Sequence, residues 1–521
     1  MEPSERRRDH LLAMRVRPEP SANLMARVAR EGALNTFKSA ALVMLSAIST
    51  PILIRKIGGD SYGLLSLALS VTGYVALAEF GIQTDTSRQV AVHKRENKAV
   101  DVEISRAFWI LAFHGVLALV GFFVLFAARR TLFSSVAPNE YRAFDRSLLI
   151  LGVASCVSLP SAALMGYLNG TGRVGSAGTV QVISRLVSVG VAIALAFMGF
   201  GAPGVALALA FGLVVTLVLS MHSVVKERGL TCLRRPRKVR SYTKKTPQSI
   251  TLFIWMAATT VITGADPIIV SMTDHSGLGF YSLASQLNGL VVTVLGGLLL
   301  PLIPALAIKS QHDSSKLLEA MYRLSSGGIL AMAVAMMLVA PFTLRILGGR
   351  SLGNAAITST VLLLSTTMIR QLPAPLALYS LNGDNHFITR TVAVVEAVVN
   401  ITASVFLGYR FGAKGVAIGT LIGGFSSFAF YSLAGFPGRF RSGRNSRFWV
   451  STTLRMWGIC LPFVGLATVD VALARNPVVR LIAAPVAAAM LFFFGLTSDD
   501  RRSVYSLAAK VTGRFVPFEQ N

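Results

Sequence analysis

Long apolar runs divide this chain from end to end, and nothing constrains its fold more. Fourteen can be counted, at roughly 34–54, 62–83, 107–128, 147–168, 178–199, 202–222, 248–272, 278–302, 324–347, 355–381, 388–409, 413–435, 449–470 and 477–496. A bilayer core takes about 20 apolar residues per helical span, and each run is of that order. The alternating pattern of an outer-membrane barrel is absent. Only 14% of the 521 residues are charged, against about 25% in a soluble domain, and the mean hydropathy is +0.61. The sequence therefore reads as an all-α polytopic membrane protein of about 14 transmembrane helices.

The formal net charge is +26, which in a soluble chain would point to nucleic acid. Here Lys and Arg gather at the N-terminus and in alternate loops, as cytoplasmic segments do. Both termini are thus expected in the cytoplasm, and no nucleic-acid partner is implied. The densest stretch is KERGLTCLRRPRKVRSYTKK, residues 226–245. Residues 1–30 hold seven arginines and no apolar core of a cleaved signal. Cys156, Cys232 and Cys460 are far apart and have no metal-ligand spacing.

The chain also repeats itself. PILIRKIGGDSYGLLSLALSVTG (51–73) aligns with PIIVSMTDHSGLGFYSLASQLNG (267–289) at an offset of 216. LPSAALMGYLNG (159–170) aligns with LPAPLALYSLNG (372–383) at 213, and FGAPGVA (200–206) with FGAKGVA (411–417) at 211. Runs one to six therefore correspond to runs seven to twelve. Six is even, so both halves enter the membrane from one side, and the repeat is parallel about an axis along the membrane normal. The expected organisation is a basic N-terminus (1–33), an N-lobe (34–222), a basic linker (223–247), a C-lobe (248–435), a C-terminal helical hairpin (449–496) and a cytoplasmic tail (497–521).

Ionisable groups inside spans are costly and are functional candidates by default. Those singled out are Lys38, Glu79, Asp266, Arg370 and Glu396, with His114 as a weaker one. Gln286, Asn288, Gln371 and Asn400 add neutral polar groups. Lys38 and Glu79 lie at similar depth in one hairpin and have the alternative of pairing with each other. The same alternative holds for Arg370 and Glu396, which lie about 16 and 12 Å deep at the helical rise. Arg370 is the deepest cation, and a guanidinium forks onto phosphate oxygens. Asp266 has no cation in its own hairpin and precedes Pro267, which frees a backbone carbonyl. It is read either as a proton or sodium site or as a carboxylate held by hydroxyls such as that of Thr263.

The segment LNTFKSAALVMLSAISTPILIRKIGGDSYGLLSLALSVTGYVALAEFGI (34–82) resembles the opening hairpin of the bacterial polysaccharide-biosynthesis flippases, which move O-antigen and exopolysaccharide intermediates. The elements carrying the resemblance are Asn35, Arg55-Lys56-Ile57-Gly58, Asp60, Tyr62-Gly63, Ser66, Ser70 and Gly81, with Ile57 where Leu is usual. The same superfamily contains multidrug and toxin extrusion transporters and lipid II flippases. The resemblance implies two lobes around a cavity and movement of undecaprenyl-diphosphate-linked oligosaccharide by alternating access. It implies no covalent chemistry and no cofactor, with proton or sodium coupling, in a bacterial inner membrane. Polysaccharide polymerase and export machinery would be partners. Substrate contacts are then expected at Arg370, Lys38, Arg55 and Asn35, and ion coupling at Asp266, Glu79 and Glu396. Arg55 has the alternative of bracing its turn against Asp60. Lipid II transport and drug efflux stay open as alternative functions.

Overall fold

The computed structural model describes residues 38, 41–95, 100–133, 136–138, 140–171, 173–234, 247–299, 311–374, 386–434, 443–468, 476–498 and 501. Among them there is helix and no strand. The helices are α1 (41–57), α2 (Gly59–Gly73), α3 (Ile82–Arg95), α4 (Asp101–Leu132), α5 (Tyr141–Ser158), α6 (Ser161–Gly170), α7 (Val174–Phe197) and α8 (Gly201–Arg228). They continue with α9 (Pro247–Thr273), α10 (Leu278–Leu299), α11 (Gln311–Gln371), α12 (His386–Ala434), α13 (Gly443–Thr468) and α14 (Pro477–Met490).

Eight described helical stretches are long and apolar enough to cross a membrane, or nine if the bent pair α5–α6 counts as one span. Two of the eight hold a pair of expected spans each. Gly349 breaks α11 (φ 77, ψ −180) and Gly412 breaks α12 (φ 61, ψ −144). Both breaks need a positive φ that glycine reaches without a Cβ clash. Gly201 stands at the equivalent of Gly412 in the first half, and its φ is 60. The short FGA-x-GVA turns thus share a backbone conformation as well as a sequence.

Two spans are less regular than their hydropathy suggests. The run at 147–168 bends by 47° between α5 and α6, where Pro160 stands. The run at 62–83 stops being α-helical at Gly73. It continues as a 3-10 turn, Tyr74–Glu79, then reverses through Phe80 (φ 50) and Gly81 (φ 72) into α3. Hydropathy measures transfer free energy and is blind to such breaks.

The lipid-facing surface is plain on α4. Phe113, Val116, Leu117, Val120 and Val124 are all exposed, and only 17% of its apolar window is buried. Inward faces are small and close-packed, as helices in lipid require. Helices α5 to α8 pack chiefly within the first half, and α9 to α12 within the second. Helices α13 and α14 pack on α11 around Leu330, Val334, Met337, Met456 and Leu491.

The halves meet along α2, which packs on α9 and α10. A Cβ placed on Gly63 would lie 2.9 Å from the Gly279 backbone nitrogen. These two residues are equivalent in the repeat, so their contact marks the pseudo-two-fold axis. Tyr74 Oη donates to the Val261 carbonyl (3.3 Å) and the Phe80 ring packs on Phe253 (centroids 4.9 Å apart), and further ties between the halves join turns that follow odd-numbered spans. Arg55 Nη2 donates to the Ile346 carbonyl (3.4 Å), Leu352 packs on Gly59, and His275 Nε2 meets Glu140 Oε2 (3.3 Å). Asp274 accepts from the Gly277 and Ala413 amides there (2.9 and 3.1 Å). These turns share one end of the bundle, called the odd-turn end below.

Candidate functional site

Among the described residues, each half has a cavity. The first-half cavity is 590 Å³ and lies between the broken second span, the α5–α6 bend, α7 and α8. Its wall carries the hydroxyls of Thr72, Ser155, Ser158, Ser184, Ser188 and Thr216, with Gln83 and Gln181. Two ionisable groups face it, Glu79 and Arg185. Glu79 Oε1 accepts from the Gln83 amide (3.1 Å), so its carboxylate satisfies one of the free N–H groups at the start of α3. Arg185 Nη2 donates to Ser46 Oγ (3.2 Å), and among the described residues the guanidinium makes no ion pair.

Arg185 went unremarked in the sequence. It sits inside the fifth run, in VISRLVSVG, and the same search for charge within spans that found Arg370 would have found it. At the 211 offset of this part of the repeat, its counterpart is Glu396.

The second-half cavity is 430 Å³, between α9, α10, the last turns of α11, and α12. Trp255, Asn288, Arg370, Gln371, Glu396 and Tyr431 line it, along with Asp266 and several threonines. Arg370 Nε is hydrogen-bonded to Glu396 Oε1, so these two do pair across their hairpin. The Arg370 side chain keeps 21% of its surface exposed, against 9% for Glu396.

Asp266 is 5% exposed. Its Oδ2 accepts from Tyr281 Oη (2.7 Å) and from Thr420 Oγ1 (3.0 Å). The expected partner Thr263 instead donates to the Thr259 carbonyl (2.9 Å). Asp266 Oδ1 is enclosed and, among the described residues, has no hydrogen-bond partner. Asn400 is fully buried beside Gly423, and among the described residues neither its Nδ2 nor its Oδ1 has a partner.

The other sequence candidates lie elsewhere. Lys38 rests its stem against Gly178 of α7 and, among the described residues, makes no ion pair with Glu79. Arg55 is exposed at the odd-turn end and reaches Ile346 rather than Asp60. Asn35 lies outside the described residues. His114 Nδ1 is engaged with the Ala78 carbonyl (2.8 Å). The three cysteines are buried and unbridged. Among the described residues no cluster of His, Cys, Asp and Glu could hold a metal ion.

The geometry offers two polar chambers inside an apolar bundle, one with a free cation and one with an internally neutralised pair. Comparison with known proteins places this arrangement. The model for the polysaccharide biosynthesis protein family matches residues 30–308. No curated protein matches the chain in sequence. Among solved structures, an inward-facing multidrug resistance MATE family transporter of the MOP superfamily is 16% identical, with a TM-score of 0.61, covering 79% of this chain and 98% of its own. The lipid II flippase MurJ in an inward closed conformation is 13% identical, with a TM-score of 0.61, covering 88% and 99%. A MOP superfamily transporter from Pyrococcus furiosus is 15% identical, with a TM-score of 0.58, covering 81% and 96%.

Proposed function

The chain belongs to the polysaccharide biosynthesis protein family, and on that premise we propose that it is a flippase for undecaprenyl-diphosphate-linked oligosaccharides in exopolysaccharide or O-antigen synthesis. One observation carries the reading, the guanidinium of Arg185 in a polar cavity without a carboxylate partner. An arginine at the centre of a bilayer costs about 2.5–3.5 kcal/mol even by the mildest scale. A diphosphate would repay that cost, because a guanidinium binds phosphate oxygens through paired, charge-assisted hydrogen bonds. A cationic drug would not. Arg370, the residue favoured from the sequence, is already neutralised by Glu396, so Arg185 is the better diphosphate contact.

The loops opposite the odd-turn end carry most of the basic residues, which supports a cytoplasmic placement for that end and for both termini. The odd-turn end then faces outward in a bacterial inner membrane. Substrate enters from the cytoplasmic leaflet, the halves rock about their seam, and the sugar is released outward, where a polymerase and export machinery take it. A cation gradient supplies the work in this scheme. Asp266 is the group that takes up the ion, because its free oxygen is too enclosed for anything larger than a proton or bare cation. Glu79 and Glu396 are engaged in a helix start and an ion pair.

Deletion of the gene tests the assignment. Undecaprenyl-diphosphate oligosaccharide should accumulate on the cytoplasmic leaflet, whereas normal polysaccharide with raised drug sensitivity would sink the reading. Asp266→Asn should abolish the dependence of transport on the gradient. Unchanged dependence in a stably folded protein removes Asp266 from the scheme.

A further inference from the structure

The second-half cavity has no task in the diphosphate step, yet it is larger than a buried salt bridge needs. Its 430 Å³ falls within the ordinary range of small-molecule sites. Its polar lining is specific in kind. Thr367 Oγ1 donates to Asn288 Oδ1 (2.7 Å), which fixes the amide plane and leaves both Asn288 N–H groups without a partner among the described residues. Among the described residues Gln371 makes no side-chain hydrogen bond, so its amide offers donors and an acceptor together. Arg370 spends Nε on Glu396, its Nη2 is enclosed without a partner among the described residues, and its side chain keeps 21% of its surface exposed. Trp255 lines the same space, half-buried, with its indole N–H unengaged among the described residues, and Tyr431 of α12 lines it too.

The charge state selects the class of ligand. Glu396 cancels Arg370, and Asp266 stands behind them with its own hydroxyl partners, so an anion gains nothing here. An apolar molecule would strip water from Asn288, Gln371 and Arg370 without replacing its bonds, which is costly for buried polar groups. A neutral polyhydroxyl ligand suits both facts. Each hydroxyl donates and accepts, planar amide and guanidinium groups can meet neighbouring hydroxyls, and an indole presents an apolar face with a polar edge.

We infer that this cavity is a glycan subsite, in which Trp255 forms a stacking face and Asn288, Gln371 and Arg370 bind hydroxyls of an uncharged sugar in the lipid-linked substrate. The inference rests on the flippase reading above and divides the substrate between the halves. The diphosphate belongs to Arg185 and the sugar to the second cavity.

The test measures binding to the purified full chain in lipid nanodiscs. The probes are undecaprenyl diphosphate alone and the lipid-linked oligosaccharides extracted from cells lacking the gene. The wild type should hold the glycosylated lipid about tenfold more tightly, the worth of one or two net hydrogen bonds. Asn288→Ala with Gln371→Ala should erase that difference and leave undecaprenyl diphosphate affinity unchanged. Trp255→Ala should do the same and Trp255→Phe should restore part of it, a rescue that a mere packing defect would not show. Arg185→Gln should weaken both lipids alike. Equal wild-type affinities, or variants of the second cavity that weaken both lipids equally, overturn the glycan subsite and leave the diphosphate reading standing. Binding of neither lipid overturns both.

Discussion

The two cavities are built from equivalent helices and hold opposite charge at one equivalent position. Arg185 on α7 faces the first cavity with a serine for company, and Glu396 on α12 faces the second as the counter-ion of Arg370. Duplication supplied one scaffold twice, and divergence inverted a charge within it. A buried ion that has its partner inside the protein is a structural fact about the protein. A buried ion without one implies a visitor. The difference separates groups that the sequence could only pool as charges within spans.

The comparison breaks first at Arg185. Arg185→Gln should lower flipping of lipid-linked oligosaccharide in proteoliposomes by about 10–100-fold, the worth of a charge-assisted hydrogen-bond pair, with little loss of melting temperature. Wild-type flux in this variant would leave the first cavity without its anion site. Next comes Glu396→Gln, whose main effect should be on stability. Removing one partner of a buried pair costs about 3–5 kcal/mol. The double variant Arg370→Gln, Glu396→Gln should regain most of that in thermal unfolding, and a double variant as unstable as the single one would mean the pair is not self-contained. Gly279→Val probes the seam between the cavities. Its side chain would press on the Gly59 carbonyl, and overpacking costs about 1–3 kcal/mol. Thiol labelling of Asp60→Cys should then rise, because the odd-turn end is forced apart. Arg55→Ala should matter least, at most about 0.5 kcal/mol, since its one bond is exposed. A large effect on flux there would return Arg55 to the substrate path.

Much of this was legible in the sequence for identifiable reasons. Span number follows from hydropathy, and the repeat from identities whose offsets stay nearly constant. Depth left the pairing of Arg370 with Glu396 as one of two open readings, because helical rise shows which groups share a level but not which of them meet, and the same argument offered a Lys38–Glu79 pair that does not form among the described residues. Contacts that cross the fold were not legible. Asp266 meets Thr420 across 154 residues of chain, and no spacing rule joins them. Thr263 lost to them because a helical threonine satisfies itself on the carbonyl one turn back. The break after Gly73 was hidden because its residues stay apolar while their backbone changes. Arg185 was visible throughout. What sets it apart is that no carboxylate among the described residues pairs with it, which only the packed structure discloses.

The meeting of Gly63 with Gly279 has a consequence of another kind. In two identical halves related by a two-fold axis, this would be one residue touching its own copy, an isologous contact. Any substitution would then arrive in duplicate and collide with itself. Joined in one polypeptide, the positions mutate separately, and a side chain on one can be accommodated by the glycine kept on the other. The covalent link thus frees the seam to become asymmetric, one residue at a time, while both sides remain glycine for now.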